Sequence, residues 1–216
     1  MTDETAQSMA DDYWTAVNAV GEPPPQAAAA IRLGTAVRSL TRATVGSTAP
    51  DDVLTQVAGE IERLARLLAP FDAPSRYDQA VRQGGTGTFL NHPMIGPANG
   101  CSPPIALHAE GDRLVGELSF QTPQEGPPGC AYGGYIAAGF DAILLMTAGV
   151  NGQAGPTKSL SVRYRAPTPL NTPLRYEARM EAAEPRHGVV TGRLVAGDLV
   201  CAEGRAEISR SRLLPR

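Results

Sequence analysis

Hydrophobic and polar positions follow two different periods along this chain, and the period changes near residue 105. Before that point, apolar residues recur every three or four positions, which is typical of amphipathic helices. The clearest example spans 51–68, where Val53, Val57, Ile61, Leu64 and Leu68 share one face. After residue 105 most apolar residues alternate with polar ones, which indicates half-buried strands.

The N-terminal part is predicted to form three helices, separated by segments rich in proline, glycine and serine. They span about 3–20, about 26–44, and a stretch that Asp51 or Asp52 caps and that ends near Leu68. These helices carry no obvious chemistry, so we expect them to serve packing or oligomerisation. The chain thus divides into a helical extension (1–70), an irregular connector (71–104) and a C-terminal domain (105–216). In the connector, His92 is a possible pocket residue, although a lone loop histidine is more often structural.

The C-terminal part is predicted to contain strands near 105–109, 113–120, 159–165, 174–181, 189–195 and 199–208. Short turns such as Ala196-Gly197-Asp198 join several of them, which predicts antiparallel pairing. We expect the last four strands to form a meander. One face of such a sheet is exposed to solvent, and the other face must be buried against another element.

One stretch breaks the alternation, AYGGYIAAGFDAILLMTA at 131–148, which is apolar apart from Asp141. A helix that is apolar on most sides belongs inside a protein or a membrane. A membrane span is disfavoured because the stretch barely reaches about 20 residues and carries a central charge. We therefore predict an α+β fold in which the antiparallel sheet wraps around this helix.

Helical spacing places Gly134, Ala137, Ala138 and Asp141 on one face of that helix. The glycines at its start leave room for a ligand to reach the free backbone N–H groups of the helix N-terminus. An anion-stabilising helix end and a carboxylate two turns further along are the parts of a catalytic site. The alternative is a buried helix whose aspartate is bonded to neighbouring backbone, and residue types alone favour neither.

The charge, the cysteine content and the N-terminal residues argue against several classes of protein. The 216 residues carry a net charge of −3, which gives no electrostatic footprint for nucleic acid. Three widely spaced cysteines form neither a disulfide framework nor a metal-binding pattern, so we expect reduced thiols. The acidic N-terminus lacks the apolar core of a signal peptide, and we expect a cytoplasmic protein.

Three motifs together resemble the hotdog-fold thioesterase superfamily, and within it the phenylacetyl-CoA and long-chain acyl-CoA thioesterase-like group. The first is EGPPGCAYGG at 125–134, similar to the family loop that ends in His-Gly-Gly. The second is Asp141, at the family's spacing for an acidic residue on the central helix. The third is 157–167, similar to the strand that follows. The resemblance implies an acyl-CoA-type thioesterase, a hydrolase that needs neither metal nor cofactor, with CoA only as part of the substrate.

The resemblance also implies residue roles, in a site formed between the two subunits of a homodimer. The Gly133 or Gly134 N–H polarises the thioester carbonyl, Asp141 of the other subunit acts as general base or nucleophile, and Thr157 orients the water. Association into a dimer of dimers is left open. No partnership with nucleic acid or membrane is expected.

Substrate contacts are expected from residues around that helix start. Tyr132 and Glu125 are expected to contact the substrate there. Tyr132 stands at the position where the family has histidine. An acyl pocket is expected near Tyr135, Phe140 and the connector. The cations expected to hold CoA phosphates are Lys158, Arg163, Arg165 and Arg175. Two alternatives follow: a non-catalytic acyl or acyl-CoA binding protein, favoured by Tyr132, and a hydratase, which ranks last because its Asp/His pair is missing.

Overall fold

The computed structural model describes residues 27–72, 89–101, 103–153 and 155–209. The predicted helix near 3–20, part of the connector and the C-terminal tail lie outside these residues. The described helices are α1 (Ala28–Val45), α2 (Asp51–Leu68) and α3 (Gly133–Val150), with short 3₁₀ turns at Ala69–Phe71 and Thr122–Gln124. The strands are β1 (Ala106–Glu110), β2 (Arg113–Leu118), β3 (Thr157–Tyr164), β4 (Leu174–Ala183), β5 (His187–Ala196) and β6 (Leu199–Ser209).

Helix α1 packs against the connector. A Cβ atom on its buried Gly34 would collide with the backbone of Ala98, so glycine permits the close approach. The Arg38 guanidinium donates hydrogen bonds to the carbonyls of Pro97 (2.9 Å) and Asn99 (2.6 Å). These contacts hold the N-terminal extension to the residues that lead into the sheet.

Helix α2 confirms the predicted periodicity but buries none of its residues. The predicted cap was wrong, since Pro50 occupies the N-cap position and makes no side-chain capping bond. Asp51 and Asp52 instead lie in the first turn, where their charges face the positive end of the helix dipole.

The six strands form one antiparallel sheet in the order β1-β2-β4-β5-β6-β3. The predicted meander is confirmed for β4, β5 and β6 but is wrong for β3, which pairs with β6 at the far edge. Helix α3 connects β2 to β3 across the inner face of the sheet, so β3 joins the far edge, beside β6. The connection from β3 to β4 then crosses back, and β4 pairs with β2.

Helix α3 lies against β2 to β6 and forms the centre of the hydrophobic core. Phe140 is fully buried and meets Tyr176 edge to face at 5.0 Å. The buried Tyr176 hydroxyl donates a hydrogen bond to the Ile136 carbonyl (2.9 Å), and burial raises the pKa of this phenol. The aromatic pair therefore fixes the middle of α3 to the sheet.

Within the described part of the connector, Met94 and Ile95 join the core, and the Ile105 N–H donates to the Met94 carbonyl at 2.9 Å. His92 has a structural role, because its Nδ1 accepts hydrogen bonds from the Met94 and Ile95 N–H groups (3.1 and 3.4 Å).

Among the described residues, α3 is the one helix long and apolar enough to cross a membrane. Most of it is buried in the fold, as core helices of this composition commonly are.

Candidate active site

The carboxylate of Asp141 lies on the one face of α3 that the sheet leaves open. Residues along this face are exposed or half-buried, whereas most of the helix is buried: Gly134, Ala137, Ala138, Asp141 and Leu145. The face predicted from helical spacing is thus the accessible one. Its small side chains allow a ligand or another chain to approach the helix backbone.

Thr157 holds the Asp141 carboxylate. Its hydroxyl, at the first position of β3, donates a hydrogen bond to Asp141 Oδ1 at 2.8 Å. A register shift in the β3–β6 pairing lies between Thr157 and Ser159. The bond restrains one carboxylate oxygen, and no other described residue bonds the second.

The N-terminus of α3 presents free backbone donors. Tyr132 is the N-cap residue, and its own N–H donates to the Gln124 carbonyl at 2.8 Å. The next two amides, those of Gly133 and Gly134, have no acceptor among the described residues. These are orphan donors at the positive end of the helix dipole, which makes the position suited to an oxyanion.

Two neighbouring groups fix this helix start. The Tyr164 hydroxyl, reaching from the end of β3, donates a 2.8 Å hydrogen bond to the Gly133 carbonyl. In the loop before the helix, Glu125 Oε1 accepts the Gly129 N–H at 2.7 Å, and Gly129 adopts a φ of 73°. Glu125 therefore braces the loop that leads to the free amides.

Tyr164 had been assigned only to a strand. Because Leu160, Val162 and Tyr164 together alternate with polar residues, the sequence already placed Tyr164 on the same side of β3 as the two apolar residues. What the sequence did not provide was the register that brings it to Gly133.

The two chemical groups of α3 lie seven positions apart in the sequence, at Gly134 and Asp141. This spacing corresponds to about 10 Å along a helix axis. A thioester carbonyl carbon must lie about 3 Å from its nucleophile, and its oxygen must lie equally close to the amide donors.

Aromatic side chains border the helix start. Tyr132 is 58% exposed and meets Tyr135 edge to face at 6.4 Å. Tyr135 is half-buried, with Phe120 at 6.4 Å. Phe140 is fully buried in the core and does not line a pocket, so that expectation was wrong.

The predicted phosphate-binding cations lie away from Asp141 within one chain. Strand alternation places Arg163 and Arg175 on the outer face of the sheet, opposite α3. Arg175 is paired with Glu110 and Glu177, and its hydrogen bond to Glu110 raises the arginine pKa. Arg165 pairs with Glu203 at 2.6 Å, and Lys158 is exposed on β3.

Asp141 lines neither of the two most prominent cavities among the described residues. The first, about 580 Å³, lies on the outer sheet face and is lined in part by Arg163, Arg179 and Arg205. The second, about 230 Å³, lies between α1 and the start of the Thr122–Gln124 turn. Asp141 is instead half-buried on the open face of α3.

No cluster of possible metal ligands occurs among the described residues. The three cysteines are free thiols, and burial raises the pKa of Cys201. A thiol with a raised pKa is a poor nucleophile at neutral pH.

Comparison with known proteins finds one family model and several solved structures that are similar to this chain. Residues 128–203 match the model of the thioesterase superfamily, a range that includes Gly133, Gly134, Asp141 and Thr157. A crystal structure of a thioesterase superfamily protein superposes with a TM-score of 0.76 at 29% identity, covering 86% of this chain and 93% of that one. The C-terminal domain is therefore similar to the thioesterase superfamily. Its sheet around a central helix is the hotdog fold, with an N-terminal helical extension.

More distant structures match about half of this chain. The E. coli PaaI protein from the phenylacetic acid degradation operon is 14% identical, covering 50% of this chain and 80% of its own, with a TM-score of 0.47. A Streptococcus mutans protein bound to acetyl-CoA is 18% identical, covering 48% and 86%, with a TM-score of 0.45. No curated protein matches the chain significantly.

Proposed function

We propose that this protein hydrolyses an acyl-CoA-type thioester to a free acid and a thiol. The observation that carries the proposal is Asp141, a carboxylate on the open face of an apolar helix whose N-terminal amides are also free. One oxygen of this half-buried carboxylate is held by Thr157, and the other is free to act on a ligand at the open face. Similarity to the thioesterase superfamily over residues 128–203 supports the same chemistry.

The helix N-terminus supplies the oxyanion donors in this proposal. Attack on a thioester carbonyl places negative charge on its oxygen, and the Gly133 or Gly134 N–H stabilises that charge. One such fixed donor contributes a factor of about 10²–10³ to the rate. Gly134 leaves room for the Tyr132 ring, since a Cβ there would collide with it.

Asp141 supplies the base or the nucleophile. As a general base it removes a proton from the attacking water, which contributes a factor of about 10²–10⁴. As a nucleophile it forms a mixed anhydride and releases the thiol, and water then cleaves the anhydride. In both routes the Thr157 hydroxyl restrains Oδ1 and leaves Oδ2 to react.

The complete site requires a second copy of the chain in this proposal. The open face of α3 and the half-exposed strand β3, which forms one edge of the sheet, adjoin each other. A second copy that pairs along this edge brings its own Asp141 toward the first copy's Gly133 and Gly134. The sheet edge also gains the backbone partners that it lacks in one chain.

Substrate contacts follow from the same arrangement. Tyr132, exposed at the helix start, and the half-buried Tyr135 are placed to contact the acyl group. The loop that Glu125 braces shapes the same end. Lys158 on β3 and Arg165 directly after it are the candidates for phosphate contacts from the second copy, because β3 lies at the proposed interface.

A second candidate function is non-catalytic binding of an acyl-CoA. The observation in its favour is Tyr132, which replaces the family histidine and whose hydroxyl makes no hydrogen bond to any described residue. A tyrosine that is free in this way supplies apolar surface but leaves the helix start without a side-chain cap.

The deciding experiment measures thiol release from short, medium, long and aryl acyl-CoAs by the wild type and by Asp141→Asn. Calorimetric titration with CoA and the acyl-CoAs runs in parallel. Turnover that disappears in the variant while binding persists supports the enzyme. Binding without turnover in the wild type supports the alternative, and neither binding nor turnover contradicts both.

A further inference from the structure

Helix α2 carries an apolar face that no described residue covers. Its main contact within the described chain is with the Ala69–Phe71 turn that follows it. Large side chains remain open to solvent along its length: Val53, Leu54, Val57, Leu64, Leu67, Leu68 and, in the turn, Phe71 at 81%. Monomeric proteins rarely leave a continuous apolar patch of this kind exposed.

The spacing of this face matches a helix-to-helix seam. Leu54, Val57, Ile61, Leu64 and Leu68 follow one another at intervals of three, four, three and four residues. This is the a/d pattern of a coiled coil, in which each side chain packs into a hole on a facing helix. The face is therefore shaped to receive another helix along its full length.

The occupant that fits is the same helix from a second copy, running antiparallel. Antiparallel packing sets each a position against a d position. With Gly59 at the centre, Leu54 of one copy then lies opposite Leu64 of the other, and Val57 opposite Ile61. The same surface of each copy forms the contact, so two copies complete it and leave no part open for a third.

Charge and side-chain size favour the antiparallel orientation. The first turn of α2 is acidic (Asp51, Asp52) and the last turn carries Arg66. Antiparallel packing places the acidic first turn of one copy beside the basic last turn of the other, and the two helix dipoles run in opposite directions. Parallel packing would place the two acidic turns side by side. On one flank of the seam lie Ala58 and Ala65, which allow close approach. On the other, Glu60 is paired with Arg63 of its own helix at 3.0 Å.

We propose that α2 is a self-association helix, which pairs antiparallel with α2 of a second copy through the seam Leu54–Leu68. This contact uses none of the residues assigned to thioester hydrolysis. It stands or falls independently of the proposed function.

The first test is the mass of the full chain in solution over a concentration series, by sedimentation velocity. The seam variant Val57→Lys/Ile61→Lys places charges in the proposed contact. The control Gln56→Lys/Gly59→Lys adds the same charge to the outward side of α2. We expect the seam variant alone to lose one step of association, with its circular dichroism unchanged. A monomeric wild type, or a seam variant with the wild-type mass, overturns the proposal.

The second test locates the contact by crosslinking in a Cys101→Ser background. Ala58 lies beside the proposed two-fold axis, so Ala58→Cys should give a disulfide-linked dimer with diamide, because the two Cα atoms come within about 7 Å. Gln56→Cys, on the outward side, should not. Equal crosslinking of the two variants, or none at Ala58, overturns the proposed orientation.

Discussion

Helices α2 and α3 are both 18 residues long, yet they have opposite environments. Helix α2 carries six charges and a regular apolar seam, and it buries no residue. Helix α3 carries the single charge of Asp141, and 11 of its residues are buried. The comparison separates two roles that hydrophobic residues play in one chain. In α3 they build the core that positions a carboxylate, and in α2 they form a surface for another molecule.

This division implies that substitutions in α3 and α2 have separable effects. Changes on the open face or at the start of α3 should alter activity with little effect on stability. Changes in its buried part should unfold the domain. Changes in the α2 seam should alter association alone.

The largest expected effect comes from the one charge of α3. Asp141→Asn keeps the size of the side chain and a hydrogen bond to Thr157, but removes the base. We expect thiol release to fall by about 10²–10⁴-fold. The melting temperature should stay within a few degrees of the wild type. An active Asp141→Asn enzyme would show that the carboxylate has another role.

Shortening one apolar side chain in each helix tests whether α3 and α2 differ in burial. Phe140→Ala removes a fully buried ring at the α3–sheet contact and should lower the free energy of unfolding by about 3–5 kcal/mol. Leu64→Ala in α2 removes a side chain that is 50% exposed. In dilute protein it should change that free energy by no more than about 0.5 kcal/mol. Chemical denaturation at low and high protein concentration measures both, and comparable losses in dilute protein would contradict the assigned environments.

The N-terminal amides of α3 can be tested by removing one donor. Proline is well tolerated at the first position of a helix but has no N–H. Gly133→Pro should therefore lower the catalytic rate by about 10²–10³-fold if this amide binds the oxyanion. Gly133→Ala is the matched control, because it keeps the N–H and makes similar contacts with Tyr164. Equal loss in both variants would indicate a steric effect at the helix start.

The smallest expected effect concerns the hydrogen bond from Tyr164 that holds the start of α3. Tyr164→Phe keeps the ring but removes the hydrogen bond to the Gly133 carbonyl, a contact worth about 1 kcal/mol. We expect a loss of at most about tenfold in catalytic rate, with the binding of a non-hydrolysed analogue unchanged. Steady-state kinetics on the preferred thioester checks this. A loss as large as that of Asp141→Asn would make Tyr164 part of the reaction itself.

Periodicity alone predicted much of this molecule. The 3.6-residue period placed Asp141 with Gly134, Ala137 and Ala138, and the structure leaves that face open. Alternation predicted β4, β5 and β6 together with their order, since short turns leave neighbouring strands little choice.

What the sequence did not supply depends on contacts between distant segments. The position of β3 beside β6 follows from the path of α3 across the sheet, which no local pattern encodes. Phe140 appeared to be a pocket residue, but helical spacing does not say how far the sheet wraps. The family resemblance gave Thr157 the role of orienting the water, but its hydrogen bond to Asp141 depends on the register of β3 relative to α3 and was not predicted.

The central claim is that a complete site takes its amides from one chain and its carboxylate from another. Co-expression of Asp141→Asn and Gly133→Pro chains with different affinity tags, followed by tandem purification, isolates the mixed assembly. Both chains carry Val57→Lys/Ile61→Lys, so that pairing through α2 cannot join two separate dimers. The account predicts that each variant alone is nearly inactive. The mixed dimer should recover up to about half of the wild-type activity, because one of its two sites is intact. A mixed assembly no more active than its parents would contradict a site shared between chains.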